Sequence, residues 1–422
     1  MTSPATSNDV EQLREQLIRR LVDLDAIRSP RVERAIRAVP RHLFVPEDEP
    51  EMAYEAERAL VTKRDENGVS LSSISAARIQ AMQLEQARVK AGNRVLEVGS
   101  GGVNAAYLYE LAVEEPETPD EQARGEVTTI DIDPDVVERA RKLLPAAGYG
   151  HVRALVADAA HGVPEHAPYN RIVITVEAPD LSVALVDQLD ATDARMVLPL
   201  RLRGLTRSLS FTREGDHLVA RDPELCGFVP MRGDDAQQQT LLFLHNEEGN
   251  EVGLRLDHPT VEVDGDALRA AFAGPKAESW SGFTIESGKS YDPLDLWLAT
   301  ALDGYARLTA TAKARKSDLV AAWSPMGLSA LVWGGTSFAY MALRQANEER
   351  SEWEFGAVGH GPAAQEAADR LTAEMGVWDR EHRGQLPEIR AYRAGTPDAE
   401  LAAGRVVDRR NFRFTISWPK SS

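Results

Sequence analysis

The sequence has one cysteine and no long apolar segment, and each shortage excludes a class of protein. Cys226 is the single cysteine among 422 residues, so no intrachain disulfide can form, and a reducing compartment is expected. No stretch approaches the roughly 20 apolar residues of a membrane-spanning helix. The opening MTSPATSNDV has no basic segment followed by an apolar one, as a secretory signal would. We therefore expect a cytoplasmic protein.

Positive charge is also scarce. The chain has 48 Lys and Arg residues against 66 Asp and Glu, which gives a net charge of -18. Such a charge repels phosphate backbones and anionic lipids. Cysteine and histidine are not clustered at the spacing of a zinc site. The sequence thus predicts no nucleic-acid partner, no membrane partner and no metal.

Short apolar strands alternate with helical segments from about residue 94 to residue 200. The strand segments are RVLEVGS, EVTTIDID, VRALVAD, RIVITV and RMVLPL. Near-continuous apolar runs are typical of parallel strands covered on both faces. The pattern predicts an α/β fold with a doubly wound, Rossmann-like sheet, preceded by the N-terminal helices VEQLREQLIRRLVDL and SPRVERAIRAV. The acidic stretch 114–126 is predicted to be a loop insertion.

The length favours two domains, and the pattern changes after about residue 205. RSLSFTRE and TLLFLHNE indicate antiparallel or edge strands, and all seven tryptophans follow residue 279. We predict a first domain over residues 1–225 and an α+β domain over 226–422, with helices near PLDLWLATAL and PAAQEAADRLTAEMGVW. In the closing NFRFTISW, alternate apolar residues share one face, so we expect this strand in the core of the second domain.

A glycine-rich turn follows the first strand of the alternating region. In RVLEVGSGGVNAA, the strand leads through Gly99, Gly101 and Gly102 into a helix. The dinucleotide fingerprint G-x-G-x-x-G requires glycine where this chain has Asn104, and Glu97 precedes the turn, which argues against NAD.

Acidic residues end three successive predicted strands. They are Glu97, Asp131 and Asp158, and they should meet at the carboxyl edge of the sheet. Any one of them alone could be a surface loop residue. Together they form the arrangement with which class I methyltransferases bind S-adenosylmethionine, in which Asp131 would accept the ribose hydroxyls and Asp158 the adenine amino group.

Five motifs in order carry a family resemblance. They are VPRHLFVP (39–46), SISAA (73–77), VLEVGSGG (95–102), ADAAHGVPEHAPYNRIVIT (157–175) and LVDQL (185–189). Over this first half the chain resembles the protein-L-isoaspartate O-methyltransferases. The resemblance implies S-adenosyl-L-methionine as cofactor, S-adenosyl-L-homocysteine as product, and a catalytic role for Ser75 and then Ser73. It implies cofactor contacts at Glu97, Gly99, Ser100, Gly101, Gly102, Asp131, Ile132, Asp158, Ala159 and Thr175, and substrate contacts at Arg41, His42, Phe44 and Val45.

The chain departs from that family at several points. ALVTKRDENGVSLS stands in place of the family's PLPIG, Ala77 replaces a proline, and a long C-terminal half follows. This form looks like the homologues associated with ribosomally made peptides such as lanthipeptides and graspetides. It implies methylation of an aspartate in a cyclised precursor peptide, leading to a succinimide (aspartimide) and isoaspartate. Two alternatives stay open: repair of L-isoaspartate in damaged proteins, and a noncatalytic module that binds peptide or cofactor.

The stretch SLSSISA contains Ser70, Ser72, Ser73 and Ser75 just before a helical pattern. Serines in this place are usually helix caps, and Ser75 alone would be interpreted as one. The resemblance reverses that preference for Ser75, whereas Ser70 and Ser72 are expected to be loop hydroxyls.

Overall fold

The computed structural model describes residues 7–66, 68–113, 125–237, 239–257, 261–317 and 319–420. The loop insertion predicted at 114–126 lies outside the described residues, apart from its last two.

The first described segment is helical and ends in a β-hairpin. Ser29 caps the second helix by accepting a hydrogen bond from the Val32 amide, and Pro30 is its first residue. A 3₁₀ turn covers Arg41–Phe44. The elements are α1 (Ser7–Asp23), α2 (Pro30–Ala38), α3 (Pro50–Ala53), the hairpin strands β1 (Leu60–Arg64) and β2 (Ser70–Ile74), and α4 (Ala77–Ala87).

The alternating region folds as a doubly wound parallel sheet, as predicted. Its elements are β3 (Arg94–Val98), α5 (Val103–Val113), β4 (Glu126–Asp131), α6 (Pro134–Ala146), β5 (Arg153–Val156), β6 (Arg171–Ile174), α7 (Val183–Asp187) and β7 (Arg195–Leu202). The parallel order is β5-β4-β3-β6-β7, so the direction of winding reverses at β3. Both faces are covered, since Val95 packs with the N-terminal helices and Leu96 packs in the opposite core. The architecture is that of a class I methyltransferase.

Antiparallel strands extend this sheet beyond β7. They are β8 (Leu205–Glu214), β9 (His217–Leu225), β17 (Glu388–Arg393), β18 (Arg405–Asp408) and β19 (Phe412–Ser417). Within the described residues the sheet has ten strands, ordered β18-β19-β17-β9-β8-β7-β6-β3-β4-β5.

The location of β19 corrects the sequence-based expectation. Phe414 and Ile416 lie in the same core as Leu96 and Ile172, not in the core of the second domain. The chain returns to the first sheet because β17 pairs with β9, and β19 then pairs with β17. A domain boundary near residue 225 stays a prediction, but the last strands do not follow it.

In chain order, the strands of the second sheet lie between β9 and β17 of the first sheet. Its strands are β10 (Thr240–His245), β11 (Val252–Leu256), β12 (Lys276–Glu286), β13 (Tyr305–Ala310), β14 (Leu328–Trp333), β15 (Ser337–Gln345) and β16 (Glu352–His360). The seven described strands are antiparallel, in the order β10-β11-β13-β14-β15-β16-β12. The helices are α8 (Gly265–Ala273), α9 (Asp292–Ala301), α10 (Ala312–Arg315) and α11 (Ala364–Glu381).

A buried ionic cluster joins the two sheets. Asp257, which follows β11, lies 2.7 Å from the Arg409 guanidinium and 3.4 Å from that of Arg201 on β7. All three side chains are at least 95% buried, so these ions are desolvated. Removing one partner would leave buried charges uncompensated, and the cluster therefore fixes how the sheets meet.

Candidate active site

A narrow crevice lies at the carboxyl edge of the parallel strands, where the direction of winding reverses. Its walls include four residues that the resemblance assigned to the cofactor, namely Gly99, Asp131, Ile132 and Ala159. Residues 229–232, here called the cover segment, form the opposite wall and reduce the cavity to about 40 Å³. Ile132 is a large apolar side chain that stays 36% exposed at this place.

The glycine turn owes its composition to the protein's own packing. Gly99 has φ +104°, and a Cβ there would lie 2.2 Å from Thr175 Oγ1. Gly102 has φ +84°, and a Cβ there would lie 2.9 Å from the Phe44 ring. Thr175 in turn donates to the carbonyls of Val98 and Gly99 at 3.0 and 3.1 Å. Thr175 thus holds the backbone of the glycine turn through these two hydrogen bonds.

Asp131 is mostly buried at the end of β4. Its carboxylate accepts hydrogen bonds from the amides of Ser100, at 3.2 Å, and Asp133, at 2.9 Å. Burial raises the pKa of Asp131 above its ordinary value, although these hydrogen bonds oppose the shift. The turn amide of Ser100 thereby fixes the carboxylate beside the glycines.

Asp133 connects three parts of the crevice. Lys63 of the hairpin lies 2.7 Å from its carboxylate, and Arg232 of the cover segment lies 3.4 Å away. Burial opposes ionisation, but these cations and the Asp135 amide lower the pKa of Asp133 below its ordinary value. The sequence reasoning missed Lys63, Asp133 and Arg232. Asp133 is the next acid after Asp131 in IDIDP, which was the available signal, whereas Arg232 lies in a loop without a pattern.

Asp158 holds the chain that follows the cover segment. It accepts the amide of Ala160 at 2.8 Å and the amide of Asp234 at 3.0 Å. A Cβ at Gly233 would lie 2.3 Å from this carboxylate, so only glycine allows the close approach. The predicted adenine acceptor therefore already binds two backbone amides.

Glu97 is fully buried behind the glycine turn, outside the crevice wall. Thr129 donates a hydrogen bond of 2.5 Å to its carboxylate. Burial raises the pKa of Glu97 to about 7, even though this hydrogen bond opposes the change. The side chain can support the turn, but it has no exposed surface with which to touch a ligand.

The four serines separate into two pairs. Within the hairpin, Thr62 donates to Ser72 at 3.1 Å, and Arg64 donates to Ser70 at 3.2 Å. Among the described residues, the hydroxyls of Ser73 and Ser75 have no hydrogen-bond partner. The cap of α4 is Ala76, without a side-chain hydrogen bond, so Ser75 is not the cap. The Ser73 carbonyl lies close to Gly101, at 3.9 Å from a Cβ built there.

Three of the four expected substrate contacts are internal. Phe44 and Val45 are at most 1% exposed, and Arg41 is fully buried. Arg41 donates to the carbonyls of Ala53 and Ser75, each at 2.7 Å, so it positions Ser75 from inside the protein. The side chains of these three residues are therefore buried too deeply to contact a substrate in this structure, which corrects the expectation for those side chains. His42 is half-buried beside the Tyr54 hydroxyl at 3.0 Å, and its substrate role stays a prediction.

The described part of the chain lacks two further features. It contains no group of three His, Cys, Asp or Glu side chains that could hold a metal ion. None of its helices is both long and apolar enough to cross a bilayer.

The residues of the crevice wall all lie within the part of the chain that matches a known protein family. The model of a family described as protein-L-isoaspartate(D-aspartate) O-methyltransferase matches residues 11–236. The chain is similar to the protein-L-isoaspartate O-methyltransferase of Hyperthermus butylicus, with 38% identity over 53% of this chain and 90% of that protein. The enzyme of the same name from Staphylothermus marinus is 36% identical over 53% of this chain and 96% of its own. A solved protein-L-isoaspartate O-methyltransferase has a TM-score of 0.48 at 18% identity, covering 89% of this chain and 96% of that one.

Proposed function

Since the chain belongs to the protein-L-isoaspartate(D-aspartate) O-methyltransferase family, we propose that it uses S-adenosyl-L-methionine to methylate an aspartyl side chain in a modified ribosomal peptide. The family supplies the reaction class, the transfer of a methyl group to a carboxylate. The finer proposal concerns the acceptor, an ordinary aspartate whose ester would close to a succinimide.

The crevice offers groups that suit the cofactor. A carboxylate oxygen has more than one lone pair, so Asp131 can accept ribose hydroxyls in addition to its two amides. Ile132 offers an apolar surface, and Asp158 retains acceptor capacity for an amino group. A ligand of this size needs a cavity of several hundred Å³, so the crevice, now about 40 Å³, has to widen as the cofactor enters. When bound, the cofactor supplies a methyl group activated by a sulfonium.

The protein's part in the reaction is alignment. An aspartate with a reference pKa near 3.9 is already ionised at neutral pH, so it needs no general base. The Ser75 hydroxyl, with no partner among the described residues, would donate to the carboxylate oxygen that does not attack. Arg41 fixes the Ser75 backbone by donating to its carbonyl. Orientation of this kind can contribute roughly 7 to 11 kcal/mol.

The hairpin is the observation that carries the finer proposal. The segment that departs from the family forms β1 and β2, places Leu71 in the crevice wall and joins Asp133 through Lys63. The altered segment thus lines the crevice in which we propose that the cofactor binds, where it can change which acceptor carboxylate fits.

A groove between the two sheets suits a long peptide. It encloses about 920 Å³, and its lining includes Glu177, Phe228 and Arg255. The Glu177 amide donates to Val229 at 2.8 Å and the Met231 amide donates to Glu177 at 2.9 Å, so the cover segment separates this groove from the crevice. We therefore assign peptide positioning to the second sheet together with the cover segment.

Mass spectrometry of matched peptides tests the acceptor. A precursor peptide from the same gene neighbourhood, cyclised and linear, is compared with a short peptide that carries L-isoaspartate. Methyl addition followed by loss of methanol in the cyclised peptide supports the proposal. Turnover of the isoaspartyl peptide alone would assign the enzyme to repair, and cofactor binding without any methylation would make it a binding module.

Repair of L-isoaspartate is the second candidate. It is favoured by the relatives, which are named protein-L-isoaspartate O-methyltransferases and match this chain over 90% or more of their own length.

A further inference from the structure

A second groove lies at the other end of the parallel strands of the first sheet, where these strands begin. We call this end the amino edge. It encloses about 920 Å³ and is lined by the start of α2, the end of α4 and the adjoining ends of β7, β8 and β9. Seven Lys and Arg residues but only two Glu residues face it, in a protein whose net charge is -18. We call it the basic groove. Arg195 opens β7 and pairs with Thr212, which places the groove at the amino edge of the parallel strands.

Several of its cations are neutralised by the protein itself. Arg28 lies 3.0 Å from Glu224, Lys90 lies 3.0 Å from Asp193, and Arg221 lies 2.5 Å from Glu388. These ion pairs are exposed and form the rim.

Arg88 and Arg195 differ from these rim residues. Among the described residues, the Arg88 side chain has no hydrogen bond or ion pair, and Arg195 donates to the Ser210 hydroxyl at 2.8 Å without a carboxylate partner. Burial, and then the neighbouring Arg88 and Arg171, lower the pKa of Arg195 to about 10. Asp193 partly offsets this shift without contacting Arg195, so among the described residues neither guanidinium group is paired directly with a carboxylate, and both can pair with one from a ligand.

The remaining lining decides which anion fits. The described lining contains no aromatic side chain on which a nucleobase could stack, and single-stranded nucleic acids depend on such stacking. The Ser210 and Thr212 hydroxyls in the lining already donate to the carbonyls of Gln86 and Val219, so guanidinium groups supply the donors for a ligand. Arginine forks match carboxylates, and an extended peptide can present several of them along a groove.

We propose that the basic groove binds an acidic segment of a peptide, with Arg88 and Arg195 pairing with its carboxylates. This site is separate from the crevice and goes beyond the proposed reaction. At about 3.3 Å per residue, a strand of five residues separates the two edges by roughly 17 Å. The acidic segment would therefore lie several residues away from any residue that is methylated.

Fluorescence anisotropy with labelled octaglutamate, at low salt, tests the proposal. The full chain should bind octaglutamate but not octaglutamine. Arg88→Glu should weaken the binding about tenfold or more, as expected for a lost charge-assisted contact, and Arg88→Lys should retain most of it. The matched control is Arg350→Glu, because Arg350 is also exposed with a positive φ, +56° against +46° at Arg88, but lies outside the groove.

Several results would overturn the proposal. They are equal binding of octaglutamine, unchanged binding by Arg88→Glu, an equal loss in Arg350→Glu, or tighter Arg88-dependent binding of single-stranded oligouridylate. Thermal melting accompanies each variant, and Arg88→Gln repeats the measurement if Arg88→Glu melts lower. The result does not depend on whether the crevice methylates any peptide.

Discussion

The two edges of the ten-stranded sheet carry opposite charge and differ in how that charge is compensated. At the carboxyl edge, the carboxylates of Asp131, Asp133 and Asp158 each accept backbone amides. At the amino edge, Arg88 and Arg195 have no carboxylate partner among the described residues. An edge whose charges are held in fixed geometry is suited to orienting a reaction, whereas an edge with uncompensated cations is suited to attracting an anion.

Different secondary-structure elements form the two edges. Turns and helix starts after parallel strands point amides at the crevice, because the first amides of a helix have no partner within it. The basic groove is built from the start of α2, the end of α4 and parts of β7, β8 and β9, where Arg88 is exposed and Arg195 is half-buried. Four expected outcomes, from the largest effect to the smallest, test this contrast.

The largest effect is expected for Ser75→Ala, at the carboxyl edge. Removing a donor aligned on the acceptor carboxylate should lower single-turnover methylation by about 10² to 10³. Cofactor affinity and melting temperature should stay nearly unchanged, since Ser75 caps no helix. Ser70→Ala is the control because that hydroxyl bonds within the hairpin. A lower melting temperature with an unchanged chemical step would remove Ser75 from the catalytic site.

Glu97→Gln should change how stability depends on pH. The pKa of Glu97 is raised to about 7, so the folded state keeps a proton that the unfolded state loses. The stability from this group is complete below about pH 4.5 and is lost as pH rises through 7, by roughly 3 kcal/mol in total. Urea unfolding at pH 5 and pH 8 should show this decline in the wild type and a smaller decline in Glu97→Gln.

Glu126→Gln, at the amino end of β4, is the control for that measurement. The hydrogen bond from Arg153 lowers the pKa of Glu126, so its contribution is lost only as pH falls below the ordinary carboxylate range. Between pH 5 and pH 8 this variant should behave as the wild type does. An equal pH dependence in Glu97→Gln and the wild type would contradict the assignment to Glu97.

Asp131→Ala should weaken cofactor binding. Losing a buried acceptor of charge-assisted hydrogen bonds costs roughly 1.5 to 3 kcal/mol, which calorimetric titration with S-adenosyl-L-homocysteine measures. Asp135→Ala is the control, because Asp135 is 82% exposed and lies outside the crevice wall. Unchanged affinity in Asp131→Ala would exclude Asp131 from the cofactor site.

The smallest effect is expected for a substitution in the basic groove, at the amino edge of the sheet. Arg88→Glu should leave both cofactor affinity and methylation of a short peptide within about 0.5 kcal/mol of the wild type. A larger loss in the same titration and turnover assays would mean that the two edges are coupled.

Much of the fold follows from local sequence pattern. The parallel strands, the N-terminal helices and the glycine turn were predicted correctly because hydrophobic period and turn chemistry are encoded within short segments. The alternation of apolar residues in β19 was also predicted, but its sheet was not. Pairing of β17 with β9 joins residues about 170 positions apart in sequence, and no local pattern encodes that choice.

The residues of the candidate site also divide into those that the sequence predicted and those that only the structure revealed. By itself the sequence determined the three acids at strand ends, the glycine turn and the serine segment, because each is a residue type at a fixed place in an element. Only the tertiary structure decided that Arg41, Phe44 and Val45 are internal, and that Lys63 and Arg232 meet at Asp133. It also decided that Arg88 and Arg195, on separate elements, line one groove without a direct carboxylate partner among the described residues. Burial and charge pairing depend on which distant surfaces come together, and that information belongs to the packed chain as a whole.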